Sequence, residues 1–333
     1  MNARTVKNRP DKVNKAPQGD AGVEVSVVIA CYNGAKTLGA QLESLAAQTW
    51  SGDWEVIVAD NGSTDDSVAV AARYQDMLPL KIIDAGQKQG QSYANNQGAA
   101  ASTGRVLLFC DADDVMHPGY VEAMVGALHD HPYVGGHERH DTINAEWLQA
   151  RARNDNKDGG LIRSCHRPFV AGCTIGVQRW AYDEVGGFDE SLIRVKDMDF
   201  GWRLAEKGIH PTYVPDAQFF YRSRPTLWGN VRQEYNVARW FLRVHRLHGH
   251  ECYVKGRPMR FLRQEAKPLI RQALQMRSWG DVLLWVRRVA WILGLALEAS
   301  TDAPQSRSPS PHCRLRPSDG ALPNTLPLFP QWS

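Results

Sequence analysis

The stretch "VLLFCDADDVMHPG", residues 106–119, runs an apolar segment straight into three carboxylates, Asp111, Asp113 and Asp114. Five apolar residues in a row, bounded by turn-forming ones, have the length and composition of a strand buried on both faces. Adjacent carboxylates repel and are costly to hold ionised unless a cation shares them. A hard divalent metal, Mg²⁺ or Mn²⁺, is the economical explanation of the Asp111-x-Asp113 pair. Mg²⁺ takes only one or two protein carboxylates and completes its octahedron with water and substrate phosphates. The pair therefore points to a phosphorylated substrate. The plainer reading is an Asp-rich turn capping the next helix.

Similar apolar runs precede this one at 25–31 (VSVVIAC), 54–59 (WEVIVA) and 80–84 (LKIID), so the decisive strand spans 105–110 and is the fourth. Helix-length stretches at about 35–48, 64–77 and 91–102 separate them. This alternation predicts an α/β fold, a Rossmann-like, mostly parallel sheet with helices on both faces. Such sheets bind ligands outside the carboxyl ends of their strands. Three polar clusters fall there: Tyr32-Asn33-Gly34, Asp60-Asn61-Gly62-Ser63, and Asp111 to Asp114. After the acidic cluster, Pro118 suits a first helical turn, and Tyr120, Met124 and Leu128 give the following helix an apolar face. Residues 133–165 hold a polar loop, "RARNDNKDGG"; then come a turn ("EVGGFDES"), a helix over 197–208 and an extended run ("HPTYVPDAQFFYR").

With 333 residues, 43% of them hydrophobic, the chain can bury an ample core. The reading divides it into a disordered segment 1–22, an α/β domain 23–230, a basic helical extension 231–300 and a disordered Ser/Pro/Arg-biased tail 301–333. A net charge of +3 gives no reason to expect nucleic acid as a partner. Residues 231–300 nonetheless carry 13 Lys/Arg against 5 Asp/Glu, a surface suited to anionic lipid, to an acidic acceptor or simply to solvent. The six cysteines show no C-x-x-C spacing and the N-terminus has no apolar core of a signal peptide, so a reducing, cytoplasmic location is expected. "DVLLWVRRVAWILGLALEA", 281–299, is interrupted by Arg287 and Arg288 and does not read as a membrane span. It suits a helix lying peripherally on the inner face of a membrane, or one packed on the protein's own core. Trp228, Trp240, Trp279, Trp285 and Trp291 carry the same choice between core packing and an acceptor or membrane platform.

Taken in order, "VVIACYNGAKTLGAQLESLAAQTW", "EVIVADNGSTDDS", "FCDADD", "EVGGFDE" and "KDMDFGWRLAEKG" resemble the family 2 glycosyltransferases of the GT-A fold over residues 24 to about 225. The resemblance implies an inverting enzyme that moves one sugar from a nucleotide diphosphate sugar to a hydroxyl of a saccharide or lipid-linked acceptor, in polysaccharide or glycoconjugate synthesis. It implies donor contacts from Tyr32, Asn33, Asp60, Asn96 and Asp111, and a metal held by Asp113 with Asp111. It also implies a general base at Asp197, on the face opposite the metal. Asp199, Arg203 and Arg222 are candidate diphosphate or acceptor contacts, although Asp199 and Arg203 are also spaced for a helical ion pair.

The chain departs from the family pattern at three places. Lys196 stands where Glu is usual, Phe220-Tyr221-Arg222 replaces a segment that often supplies a metal-binding His, and Asn95 takes the place of a common Arg. Two competing readings remain. "DADDV" after an apolar strand also resembles the nucleophile loop of Asp-dependent phosphatases, with Asp111 attacking phosphorus. Lys196 and the absent His also suit a relative that binds nucleotide sugars without turning them over.

Overall fold

The computed structural model describes residues 23–150, 161–162, 164, 167–249 and 258–301. The expectations for segment 1–22, for the tail beyond 301 and for the loop at 151–160 lie outside the described residues.

The four apolar runs become strands β1 (Val25–Cys31), β2 (Trp54–Asp60), β3 (Leu80–Asp84) and β4 (Val106–Asp111), all parallel in the spatial order β3-β2-β1-β4. Val27, Ile29, Val58 and Leu108 enter one apolar cluster, while Val28, Leu107 and Phe109 enter another on the opposite face. Helices α1 (Leu38–Ala46), α2 (Ser67–Ala72) and α3 (Gln91–Ala101) connect the strands. The first two are shorter than their polar-apolar pattern predicts. Residues before each helix are pulled into loop-to-loop bonds: the Ala35 amide donates to Asp65, and the Thr64 amide to Asn33.

Register fixes the functional edge. Cys31 pairs with Asp60, and Ala30 with Asp111, so the polar ends of β1, β2 and β4 share one carboxyl edge. Beyond β4 the sheet becomes mixed, with its seventh strand antiparallel to both its neighbours and the sixth and eighth strands parallel to each other. β5 (Val115–Met116), α4 (Tyr120–Asp130), β6 (Tyr133–Arg139), α5 (Glu146–Gln149), β7 (Thr174–Gln178), α6 (Arg179–Glu184), α7 (Lys196–Glu206) and β8 (Thr212–Phe220) complete an eight-stranded sheet of order β3-β2-β1-β4-β7-β6-β8-β5. β5 pairs with the end of β8, Val115 opposite Phe220. The acidic loop 111–114 is therefore clamped between β4 and the exit of β8.

Three helices follow, α8 (Leu227–Leu247), α9 (Pro258–Leu274) and α10 (Trp279–Ala299). α10 begins with a capping box: the Ser278 hydroxyl accepts from the Asp281 amide, and the Asp281 carboxylate accepts from the Ser278 amide at 2.9 Å. Gly294 lets α10 approach α8 closely, since a Cβ there would lie 2.5 Å from the Tyr235 carbonyl oxygen. Ion pairs lock the contact: Arg287 donates to Glu234 at 2.7 Å, and Arg239 and Arg243 both donate to Glu298. Of the two readings of 281–299, the structure takes packing on the protein itself, because the arginine that interrupts the apolar run is buried against α8. Among the described residues no helix is long and apolar enough to cross a membrane. The tryptophans divide: Trp240 and Trp291 pack against the core around Trp202 and Phe241, whereas Trp228 and Trp279 are exposed.

Candidate active site

Tyr32 follows β1 and is 56% exposed at the rim. Asn33, at φ 51°, is spent on holding the first loop to the second: its amide donates to the Ser63 hydroxyl and its side-chain oxygen accepts from the Thr64 amide. Asp60 does two things at once. Its Oδ2 accepts from the Ser63 amide at 3.2 Å, closing the loop after β2 on itself, while Oδ1 is buried with no hydrogen-bond partner. A buried, unsatisfied carboxylate oxygen at a strand end is an acceptor waiting for donors.

In the acidic loop, Asp111 Oδ1 accepts from Gln91 Nε2 at 2.6 Å. Asp113 is partly exposed; its carboxylate meets Arg224 Nη1 at 3.2 Å and its carbonyl accepts from Arg222 Nε at 2.7 Å. Asp114 is 1% exposed, with Oδ1 accepting from the Arg222 amide at 2.8 Å and Oδ2 unpartnered. It does not cap the next helix, whose N-cap is Gly119 without a side-chain bond. Burial and then repulsion from Asp111 push the Asp113 carboxyl above its ordinary range, against Arg224 and Arg222, and the same two causes push Asp114 well above. Arg224 and Arg222 offset only part of that elevation at Asp113.

The donor chemistry fits a hard cation at Asp111 and Asp113, which lie at the carboxyl edge of the sheet and whose competing Arg224 is half exposed and displaceable. Asp111, Asp114 and Cys173 also lie within 4.8 Å of one another. That inner trio is the poorer ligand set, because burial drives the Cys173 thiol well up and keeps it protonated.

Asp197 sits in the first turn of α7, where Oδ2 accepts from the Gly172 amide at 2.9 Å. Burial raises its carboxyl, partly offset by Lys196 and the Gly172 amide. Lys196 is 5% exposed; burial lowers its ammonium, while Asp111 and Asp197 both act to raise it. The residue before this pair, Val195, has φ 58°, a left-handed conformation that a β-branched residue adopts only under constraint.

Four of the expected contacts also have structural work. Asn96 donates to the Phe188 carbonyl and Glu190 and accepts from the Tyr182 hydroxyl and the Phe188 amide, so it braces the "GGFDE" turn. Asp199 is buried and accepts from Arg203 at 2.8 Å and from His248 at 2.9 Å, so it and Arg203 tie α7 to the end of α8. Arg222 clamps the acidic loop through its amide and Nε.

Residues 26–186 match the family model described as "Glycosyl transferase family 2". A PGL/p-HBAD biosynthesis glycosyltransferase of Mycobacterium bovis is 30% identical over 181 residues, covering 54% of this chain and 68% of that one. The chain belongs to glycosyltransferase family 2. This family 2 chain is also 40% identical over 123 residues, 37% of its length, to an uncharacterized glycosyltransferase of Nostoc sp., of which the match spans only 38%. Glycosyltransferase AglE of Haloferax volcanii is 27% identical over 227 residues, 66% of this chain and 73% of that one. Mannosyltransferase PcManGT from Pyrobaculum calidifontis, solved in complex with GDP-Man and Mn2+, matches with a TM-score of 0.59 at 19% identity over 83% of this chain and 86% of that one. At that identity the likeness speaks for the GT-A fold alone.

Other polar residues support the candidate site. Gln91 orients Asp111 from the start of α3. Asn61 anchors the loop at 85–90, donating to the Lys88 carbonyl at 2.8 Å and accepting from the Gly90 amide at 2.7 Å. A histidine approaches the Phe220-Tyr221-Arg222 segment from the end of β6: the buried His140 ring packs edge-on against Tyr221 at 5.5 Å, with Nε2 3.1 Å from Glu138.

Proposed function

We propose that this chain transfers a single sugar from a nucleotide diphosphate sugar to an acceptor hydroxyl, with inversion at the anomeric carbon, in glycoconjugate or surface polysaccharide synthesis. One observation carries the reading. Asp197, a buried carboxylate fixed at one oxygen by the Gly172 amide, shares with Asp111 the electrostatic reach of a single buried ammonium, Lys196. Inversion needs a base on one side of the sugar and charge-handling groups on the other, the two roles assigned here to Asp197 and to the loop of Asp111.

Asp60 Oδ1 would accept N–H donors of the nucleobase beside Tyr32. Asp111 and Asp113 would hold Mg²⁺ or Mn²⁺; when bound, such an ion neutralises the leaving diphosphate. Gln91 keeps Asp111 turned toward the crevice, and Arg222 keeps the loop carrying Asp113 in place. Asp197, its Oδ2 already engaged, takes the acceptor proton at Oδ1. Arg224, released from Asp113, is free to meet a phosphate oxygen. The PcManGT and TarS structures, the latter of S. aureus in complex with UDP-GlcNAc, support a nucleotide-sugar donor in this fold. The phosphatase reading falls with the family match, which spans both sides of "DADDV".

The deciding test is a thermal-shift panel of UDP, GDP, dTDP and CDP with and without Mn²⁺, on the wild type and Asp113→Asn. The expected result is metal-dependent stabilisation by one nucleotide, lost in the variant. Stabilisation without sugar transfer or donor hydrolysis would select the non-catalytic reading, and no nucleotide response would remove both.

A further inference from the structure

α9 has two faces with different fates. Its inner stripe packs on α10: Glu265 pairs with Arg288 at 2.9 Å, and the Leu269 carbonyl accepts from Trp285 Nε1 at 3.0 Å. The outer stripe, Arg263, Lys267, Ile270, Arg271 and Leu274, follows the three-and-four spacing of one helix face and is exposed along its length. Ile270 is 62% and Leu274 84% exposed, and Trp279, just past the turn, is 71% exposed beside Arg277. Among the described residues, no ion pair joins any of the four cations to a carboxylate: Glu265 is held on the opposite face by Arg288, and Asp281 is engaged by the Ser278 hydroxyl and by the backbone amides of Arg277 and Ser278.

Position adds to composition. Arg287 meets Glu234, and Glu298 meets Arg239 and Arg243, so α8 and α10 run in the same direction. Their starts, bearing the exposed Trp228 and Trp279, therefore lie at one end of the helical layer, roughly 9 and 12 Å back from the Arg287–Glu234 pair at 1.5 Å per residue. Arg224, four residues before Trp228, is the partner of Asp113. The exposed apolar rim and the acidic loop thus belong to the same end of the molecule.

We propose that the outer stripe of α9, with Trp279 and Arg277, docks this protein on an anionic lipid bilayer, so that the crevice receives acceptors anchored in that surface. Basic residues flanking protruding Leu, Ile and Trp are the composition that binds anionic interfaces, with the apolar tips entering the headgroup boundary. The membrane contact is thereby moved from 281–299, whose apolar run with its buried Arg287 packs on α8, to the helix before it. The acceptor statement rests on the proposed transferase function; the docking does not.

The test is flotation of the full chain with vesicles of phosphatidylcholine alone or mixed with phosphatidylglycerol, at low and high salt. Binding is expected only to the mixed vesicles and should weaken with salt. Lys267→Glu with Arg271→Glu should bind at least about tenfold more weakly, from the roughly fivefold that each basic residue near such a surface contributes. Leu274→Ser with Trp279→Ser should also lose binding. Both variants should keep the nucleotide-induced thermal shift of the wild type, which shows that they are folded. No flotation by a nucleotide-binding wild type, or equal flotation of the charge-reversed variant, overturns the proposal. So does retention on single-stranded RNA without vesicle binding. Vesicle binding by a chain with no nucleotide response would uphold the docking and sink the donor reading.

Discussion

Asp197 and Lys196 test the chemistry at the scale of single residues. Asp197→Asn removes the base while keeping the Gly172 contact, so donor affinity should persist while turnover falls at least ~10²-fold, the size of a general-base contribution. Near-normal turnover would take Asp197 out of the role. The pH dependence follows from signs. The carboxyl is raised by burial, and the base works ionised, so kcat/KM should be full above its elevated titration point and fall as pH drops through it. Lys196 opposes that elevation. Lys196→Met should move the acid limb to higher pH, and Lys196→Glu further in the same direction. The other titratable groups against Asp197, Cys173 and Tyr133, are themselves pushed up by burial, so they stay protonated as the acid limb is crossed. An acid limb that ignores the charge at 196 would mean that Asp197 does not set it.

At the scale of elements, α7 shows which signals a sequence carries and which it hides. The strands were legible because each is a continuous apolar run, and β1, β2, β3 and β4 lie within a residue of the limits those runs predict. Asp60 and Asp111 were legible as occupants of the carboxyl edge because parallel strands of equal length must end together. The Asp199–Arg203 pair was legible from its spacing, but Asn96 and Asp199 also have partners distant in the chain: Phe188 for Asn96, and His248 for Asp199. No local pattern announces those pairings. The consequence for Asp199 is a stability effect. Asp199→Ala leaves Arg203 and His248 without their shared carboxylate inside the packed layer and should cost about 3–5 kcal/mol, read as a lower urea midpoint. Nucleotide stabilisation of the remaining folded protein should be unchanged. A variant as stable as wild type but weak in donor binding would return Asp199 to the site.

Across the whole molecule, the helix that carries Asp197 is held from two sides. Phe200 and Leu204 enter the sheet's apolar cluster, while Met198 and Trp202 enter the cluster shared with Phe241, Leu242 and Leu295 of α8 and α10. The C-terminal helices therefore form the back wall of the proposed base, and damage there should be felt at the crevice. The Arg287–Glu234 pair tests this, because both side chains are about nine-tenths buried. Arg287→Met strands the Glu234 carboxylate and should cost about 3–5 kcal/mol. Adding Glu234→Leu removes the unpaired charge and should restore most of the loss, since an apolar pair of similar volume often matches a buried ion pair. If the wall positions the base, Arg287→Met should lower kcat more than it weakens the donor, and the double variant should recover kcat along with stability. Recovery of stability without recovery of kcat would show that Arg287 itself serves the reaction. Loss of stability with kcat untouched would show that α7 keeps its geometry without α10.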